Sequence, residues 1–183
     1  CVDIAATDIE NMVKFAKDNA IDLVMVAPDD PLVLGMVDAM EKEGIRAFGP
    51  RANAAIIEGS KAFSKELMKK YNIPTANYEV FTDSTSAIGY IKAQNTFPTV
   101  IKADGLALGK GVIIAQNLEE AEQAVHEMID DGKFGKSGSR VVIEEFLTGP
   151  EVSVLAFTDG KCVKPMVSSK DHKRAYDNDE GLN

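Results

Sequence analysis

Lys102-Ala103-Asp104-Gly105-Leu106-Ala107-Leu108-Gly109-Lys110-Gly111-Val112 is the stretch on which the fold turns. Its three glycines and two lysines stand between Thr99-Val100-Ile101 and Val112-Ile113-Ile114. Both flanks are apolar and β-branched, so the glycines fall at a strand-to-strand turn, not at a strand-to-helix junction. A Walker loop needs four residues between its glycines, Ser or Thr after its lysine, and a following helix. Here Gly105 and Gly109 enclose three residues, and Lys110 is followed by Gly111. The Gly-x-Gly-x-x-Gly dinucleotide fingerprint fails on spacing and on context. What remains is a β-hairpin flap whose backbone amides cover phosphates, with Lys102 reaching them from the preceding strand. A turn serving only as a tight bend would not require the lysines and the aspartate.

Working outward, residues 98–103 and 112–115 read as the arms of that hairpin. Strand 78–81, helix 84–94, helix 118–130 and strand 140–145 complete a compact α+β lobe, with Asn117 and Glu120 giving the second helix an N-terminal signal. Upstream the order is helix 7–19, capped by Thr7 with Glu10, then buried strand 22–27. A helix follows from Asp30 and Pro31 to a stop at Gly44, then strand 45–48. That alternation predicts a parallel α/β sheet. Gly49-Pro50 is a break, and Ser60 caps a helix running to Lys70. Downstream, 151–157 and 162–167 flank the hairpin signal Thr158-Asp159-Gly160-Lys161. The first of these runs is apolar on both faces and is expected inside a sheet. Residues 168–183 are polar and aperiodic, either disordered or an active-site loop.

The 183 residues are 45% hydrophobic and 27% charged, enough for a sizeable core in one or two domains. A net charge of −9 argues against a nucleic-acid or anionic-membrane partner, both of which need a broad basic surface. A small polyanion can still be held by lysines placed locally in a cleft. No apolar run approaches the roughly 20 residues that cross a bilayer. A cytoplasmic protein is expected. Cys1 and Cys162 are too few for a disulfide framework and lack metal-ligand spacing. Cys162 is expected to be buried in its hairpin, His126 to lie on the surface, and no side chain is assigned as a nucleophile. The oligomeric state is not legible.

Three further groups carry candidate chemistry. Lys61 and Lys65 stand at a helix start, where free amides and the helix dipole favour phosphate; Lys65, a turn later, also reads as part of a solvated face. Glu144-Glu145-Phe146-Leu147, with Glu151, can offer backbone groups to an adenine edge and carboxylates to ribose, although an ordinary acidic strand end has the same composition. Asp171-His172-Lys173-Arg174 is dense in donors on a polar tail, the usual composition of a solvated loop.

Taken in order, these residues resemble the ATP-grasp superfamily and, within it, the phosphoribosylamine–glycine ligase family. The resemblance is carried by Pro31-Leu32-Val33, Phe48-Gly49-Pro50, Glu58-Gly59-Ser60-Lys61-Ala62-Phe63, Ile73-Pro74-Thr75-Ala76, the flap, Val142-Ile143-Glu144-Glu145-Phe146-Leu147 and Asp171-His172-Lys173-Arg174. It covers essentially the whole chain. Two departures stand out. The family's usual Gly-Pro-Glu is here Ala27-Pro28-Asp29, and Leu108 replaces a second flap alanine.

The resemblance implies an α/β and α+β chain. Residues 1–58 would be the remainder of an N-terminal parallel-sheet domain, 59–77 a connecting helix and linker, 78–147 the ATP-grasp small lobe and 148–183 the start of the larger lobe. It implies that Lys61 and Lys102 contact ATP phosphates beneath a flap of Gly105, Gly109, Lys110 and Gly111, with Lys65 nearby. Glu144, Glu145, Phe146, Leu147 and Glu151 would hold adenine and ribose, and Asp171 to Arg174 would lie near the acceptor substrates, glycine and 5-phosphoribosylamine. Mg²⁺ or Mn²⁺ would be needed, with ligands expected beyond Asn183 and none within the chain. Opening on Cys1 and ending in a polar loop, the chain is expected to be an internal piece of a longer ligase of purine biosynthesis, inactive by itself. The alternatives are another ATP-grasp carboxylate–amine ligase, a non-catalytic nucleotide-binding module, and a purely structural domain.

Overall fold

The computed structural model describes residues 1–107, 111–170, 176 and 177. It contains two compact units, Cys1–Phe146 and Leu147–Asn183.

The first unit opens with α1 (Ile9–Asp18), β1 (Val24–Met25), α2 (Asp29–Val33), α3 (Met36–Lys42) and β2 (Ala47–Phe48). β1 and β2 pair in parallel, Val24 opposite Ala47 and Met25 opposite Phe48. Ala16, Val26, Met36, Val37 and Met40 form the core of this part. The local details correct several expectations. α1 is capped by Asp8, not Thr7, and the Asp8 side chain accepts from the Asn11 amide. The helix expected to start at Pro31, with Asp30 as its cap, and to stop at Gly44 begins two residues earlier, at Asp29, and is broken at Gly35, whose φ of +90° suits glycine and interrupts the helical hydrogen bonds. The strand expected to be buried over 22–27 is two residues long, and Leu23 and Met25 are exposed, because β2 is its one partner among the described residues.

α4 (Ala52–Gly59) has no counterpart in the sequence reading. Its N-terminus is closed from a distance, the Ala52 amide donating to Asp38 Oδ2 of α3 at 2.8 Å, so no capping side chain marks it locally. α5 (Lys61–Lys70) follows directly, with Ser60 as its N-cap.

β3 (Tyr78–Phe81), α6 (Ser84–Gln94), β4 (Thr99–Ala103), β5 (Val112–Ala115), α7 (Leu118–Val125) and β6 (Val141–Glu145) build the lobe expected around the flap. α7 runs on through a π-helical turn, His126–Asp130. The sheet is antiparallel throughout, in the order β3-β6-β4-β5. Strand alternation divides its residues between two faces. Ile101, Ala103, Ile113, Ala115, Val141 and Ile143 face α6 and α7 and pack on Ala87, Ile91, Ala121, Ala124 and Val125. The opposite face carries Val100, Lys102, Val112, Ile114, Val142 and Glu144, and there Val112 and Ile114 are partly exposed. One face is a core; on the other Val100, Val142 and Glu144 are buried, and the β5 side, with Val112 and Ile114, is exposed.

In the second unit β7 (Ala156–Thr158) pairs antiparallel with β8 (Val163–Pro165) around the expected Asp-Gly turn. The Asp159 carboxylate accepts from the amides of Lys161 and Cys162, and these bonds hold its pKa below the usual range. Two expectations are corrected here. Residues 151–157 are exposed rather than enclosed in a sheet, and Cys162 is exposed rather than buried. A two-stranded ribbon leaves both faces of each strand uncovered, however apolar they are.

Candidate functional site

β4 and β5 are the two arms of the glycine-rich hairpin, in the register Lys102 opposite Val112. Two of its glycines are needed for close approach. A Cβ on Gly105 would stand 2.5 Å from Ser137 Oγ, and one on Gly111 would stand 2.7 Å from the Ala107 Cβ and 3.0 Å from the Ala103 Cβ. The near shoulder of the loop is tied down. The Gly105 amide donates to Ser137 O (3.3 Å), Ser137 Oγ donates to Leu106 O (3.0 Å), and Lys61 Nζ donates to Gly105 O (3.0 Å).

The start of α5 is held to this shoulder by Asp104. Its Oδ1 accepts from the Ala62 amide at 2.7 Å and from Ser60 Oγ at 3.0 Å; its Oδ2 accepts from Arg140 Nε at 2.9 Å and from the Arg140 terminal guanidinium nitrogen. Two backbone bonds run alongside, Lys61 N to Asp104 O and Asp104 N to Arg140 O, both 3.0 Å. Ser60 Oγ accepts from the Phe63 amide. The first-turn amides expected to be free for phosphate are therefore taken, that of Lys61 by the Asp104 carbonyl, that of Ala62 by the Asp104 carboxylate and that of Phe63 by the Ser60 hydroxyl. What α5 offers a ligand is the Lys61 side chain. Burial pushes the Lys61 ammonium below the ordinary lysine range, with Asp104 and Glu58 opposing and the nearby charge of Lys102 adding to the depression.

On the open sheet face Lys102 lies diagonally from Glu144, and the two are joined at 3.0 Å. Lys65 reaches the same Glu144 Oε2 from α5, also at 3.0 Å, and its ammonium lies 5.5 Å from the centre of the Tyr78 ring. Tyr78 is directly opposite Glu144 across the sheet. The side chain of Glu145 turns to Asn77, accepting from its amide at 3.0 Å and its Nδ2 at 2.9 Å, while Phe146 is partly exposed. Leu147 and Glu151 belong to the second unit and are exposed there. Gly109, Lys110, Asp171, His172, Lys173 and Arg174 lie outside the described residues. The structure thus brings together Lys61, Lys65, Lys102, Gly105 and Glu144. It adds Ser60, Asp104, Thr75 and Arg140, which the sequence did not single out as site residues. An arginine immediately before an apolar strand and an aspartate at the loop entrance were the only local signals for that last pairing.

Comparison with known proteins accounts for the whole chain. Residues 1–58 match the family model "Phosphoribosylglycinamide synthetase, N domain", and residues 59–183 match "Phosphoribosylglycinamide synthetase, ATP-grasp (A) domain". The chain belongs to the phosphoribosylglycinamide synthetase family. Over 182 residues it is 54% identical to a phosphoribosylamine–glycine ligase of Haemophilus influenzae, a match covering 100% of this chain and 42% of that protein. A relative of the same name from Halalkalibacterium halodurans is 52% identical over 183 residues, again covering 100% and 42%. The crystal structure of the Thermotoga maritima phosphoribosylamine–glycine ligase superposes with a TM-score of 0.69 at 40% identity, covering 75% of this chain and 35% of that one. The chain therefore spans 42% of the length of the curated synthetase relatives it matches. Its α/β and α+β architecture, with a parallel N-terminal pair followed by an ATP-grasp lobe, is that of the family.

Proposed function

We propose that this chain supplies the ATP grip of a ligase that joins glycine to 5-phosphoribosylamine, giving glycinamide ribonucleotide, ADP and phosphate. The observation that carries the reading is Lys102 at the foot of the β4–β5 hairpin, on the open sheet face, with Lys61 reaching the hairpin's shoulder at Gly105. Two cations beside a glycine-rich hairpin are what a triphosphate requires. The relatives' names support the choice of substrates. Residues 78–147 would be the small lobe and 148–183 the beginning of the larger one. Asp171 to Arg174 would face the acceptors, and Glu145 to Leu147 with Glu151 would face adenine and ribose; Glu144, expected with them, is instead paired with Lys65 and Lys102. The cytoplasm is the proposed location; among the described residues no helix is long and apolar enough to cross a membrane.

A carboxylate is a poor electrophile. In the proposed reaction a glycine carboxylate oxygen attacks the γ-phosphorus, the bond to the ADP oxygen breaks, and glycyl phosphate forms. The ribosylamine nitrogen then attacks the acyl carbon, phosphate leaves, and the nitrogen loses a proton. Lys61 and Lys102 would offset the charge on the transferring phosphoryl group, and the hairpin would exclude water from the acyl phosphate. No enzyme nucleophile is required. Among the described residues no group of three His, Cys, Asp or Glu side chains could hold a metal ion. The Mg²⁺ or Mn²⁺ proposed to accompany ATP has no such ligand set among the described residues.

The test is ADP release by the complete protein encoded by the gene. Release that requires both glycine and 5-phosphoribosylamine is expected, with Lys102→Met lowering it at least a hundredfold. Turnover with a different carboxylate and none with glycine would overturn the substrate assignment.

A further inference from the structure

Glu144 is a carboxylate on the face of the sheet where a polyanion is proposed to bind. It is 6% exposed, and one of its oxygens, Oε2, lies 3.0 Å from both Lys65 Nζ and Lys102 Nζ. The two lysines differ. The Lys65 side chain is 8% exposed and that of Lys102 is 27% exposed. An ammonium has three hydrogens to donate. Lys65 donates to Thr75 Oγ1 (2.8 Å) and to the Ala76 carbonyl (3.3 Å) and is ion-paired with Glu144 Oε2 at 3.0 Å, so its buried ammonium is engaged within the fold. Among the described residues Lys102 donates to Glu144 alone, and two of its hydrogens remain for another acceptor.

We propose that Glu144 and Lys65 are positioning residues for Lys102: Glu144 fixes the Lys102 ammonium on the open sheet face, and Lys65 cancels the charge of Glu144. The division of labour follows from the charges. A lone Lys102–Glu144 pair would be neutral and would offer a phosphate little attraction. With Lys65 bonded to the same oxygen, the cluster keeps one net positive charge, and that charge resides on the more exposed lysine. Lys65 thus acts from within the fold and is not itself a phosphate ligand. The inference rests on the ATP-gripping reading above.

The experiment is calorimetric titration of the complete protein with ATP and with adenosine, a probe that lacks phosphates. Glu144→Gln keeps the shape and removes the charge. It is expected to weaken ATP binding about tenfold, as loss of a charge-assisted contact does, while leaving adenosine binding unchanged. Because Glu144 acts through Lys102, the double variant Glu144→Gln/Lys102→Met should bind ATP no more weakly than Lys102→Met alone. Lys65→Met should lose about as much ATP affinity as Glu144→Gln, and Lys65→Arg, which keeps the cation, should recover most of it. These lysine variants carry the test if Glu144→Gln does not fold. Additive losses in the double variant, equal losses for ATP and adenosine, tighter ATP binding by Glu144→Gln, or a folded Lys65→Arg as weak as Lys65→Met would each overturn the proposal. If the unaltered protein binds no ATP, the grip reading fails and takes this inference with it. Intact ATP binding with any of the other outcomes removes this inference alone.

Discussion

Arg140, on the threshold of β6, grips the same Asp104 carboxylate that closes the first turn of α5, so one side chain joins flap, helix and sheet. The Asp104 side chain is 11% exposed and that of Arg140 is 42% exposed. Removing the two partners should therefore have unequal effects. Asp104→Ala strands the Ala62 amide and takes the acceptor from Ser60 Oγ, while the part-exposed guanidinium is left to water, and is expected to cost about 3 kcal/mol in urea unfolding. Arg140→Ala leaves Asp104 with Ser60 and Ala62 and should cost about half as much. An Asp104→Ala protein as stable as the parent would show that the junction contributes little.

Gly105 and Gly111 give a second prediction, because their reason is space and not turn geometry. Gly111→Ala drives a methyl group to 2.7 Å from the Ala107 Cβ, and the buried Ala103 behind it cannot withdraw. The overpacking should cost about 1–3 kcal/mol. It should act first on the bond from the Ala103 amide to Gly111 O, now 2.8 Å long. Faster hydrogen exchange at Ala103 with little change at Ile91, on the far side of the core, is the expected signature; unchanged exchange at Ala103 would count against it.

What was legible in the sequence was local. Two β-branched runs around a glycine loop sufficed to place the hairpin, and Ser60 before Lys61 marked the start of α5. What was hidden depends on residues distant in the chain. The cap of α4 comes from Asp38, 14 positions from the amide it serves, and the Ser60–Asp104 and Arg140–Asp104 bonds span 44 and 36 positions. Composition alone reads Glu144 as part of an ordinary acidic strand end. Only the sheet register sets it diagonally from Lys102 and under α5, where two lysines converge on it. The exposed apolar run at 151–157 failed in the opposite direction, since a strand pattern states which faces seek burial and not what covers them.

A cap remote from the site separates stability from binding. Asn117 Oδ1 accepts from the Glu120 amide at 3.0 Å, and the Glu120 carboxylate returns to the Gln116 amide at 2.8 Å and to Asn117 Nδ2 at 2.9 Å. Asn117→Ala is expected to cost about 1 kcal/mol of stability, with ATP affinity unchanged. A large loss of affinity in a protein that remains folded would mean that α7 is coupled to the open face through the sheet.

Lys61 provides the pH dependence. Burial is the largest influence on its ammonium and lowers its pKa, whereas Lys14, hydrogen-bonded to Asp18 on the surface of α1, is raised. Following the Cε signals by NMR as pH rises, Lys61 should lose its proton before Lys14. The sign for stability follows from the folded state's preference for neutral Lys61. Below the lowered pKa the group is charged in both folded and unfolded chains, and the full burial penalty applies. Between that value and the ordinary lysine value the unfolded chain holds more protons, so the contribution of this group to stability rises with pH. Lys61→Met should remove that alkaline gain. It should also remove the bond to Gly105 O, loosening the shoulder of the flap even where the ammonium would have been neutral. A Lys61 midpoint at or above that of Lys14 would mean that Asp104 and Glu58 outweigh desolvation, and that this lysine meets a phosphate with no bias toward releasing its proton.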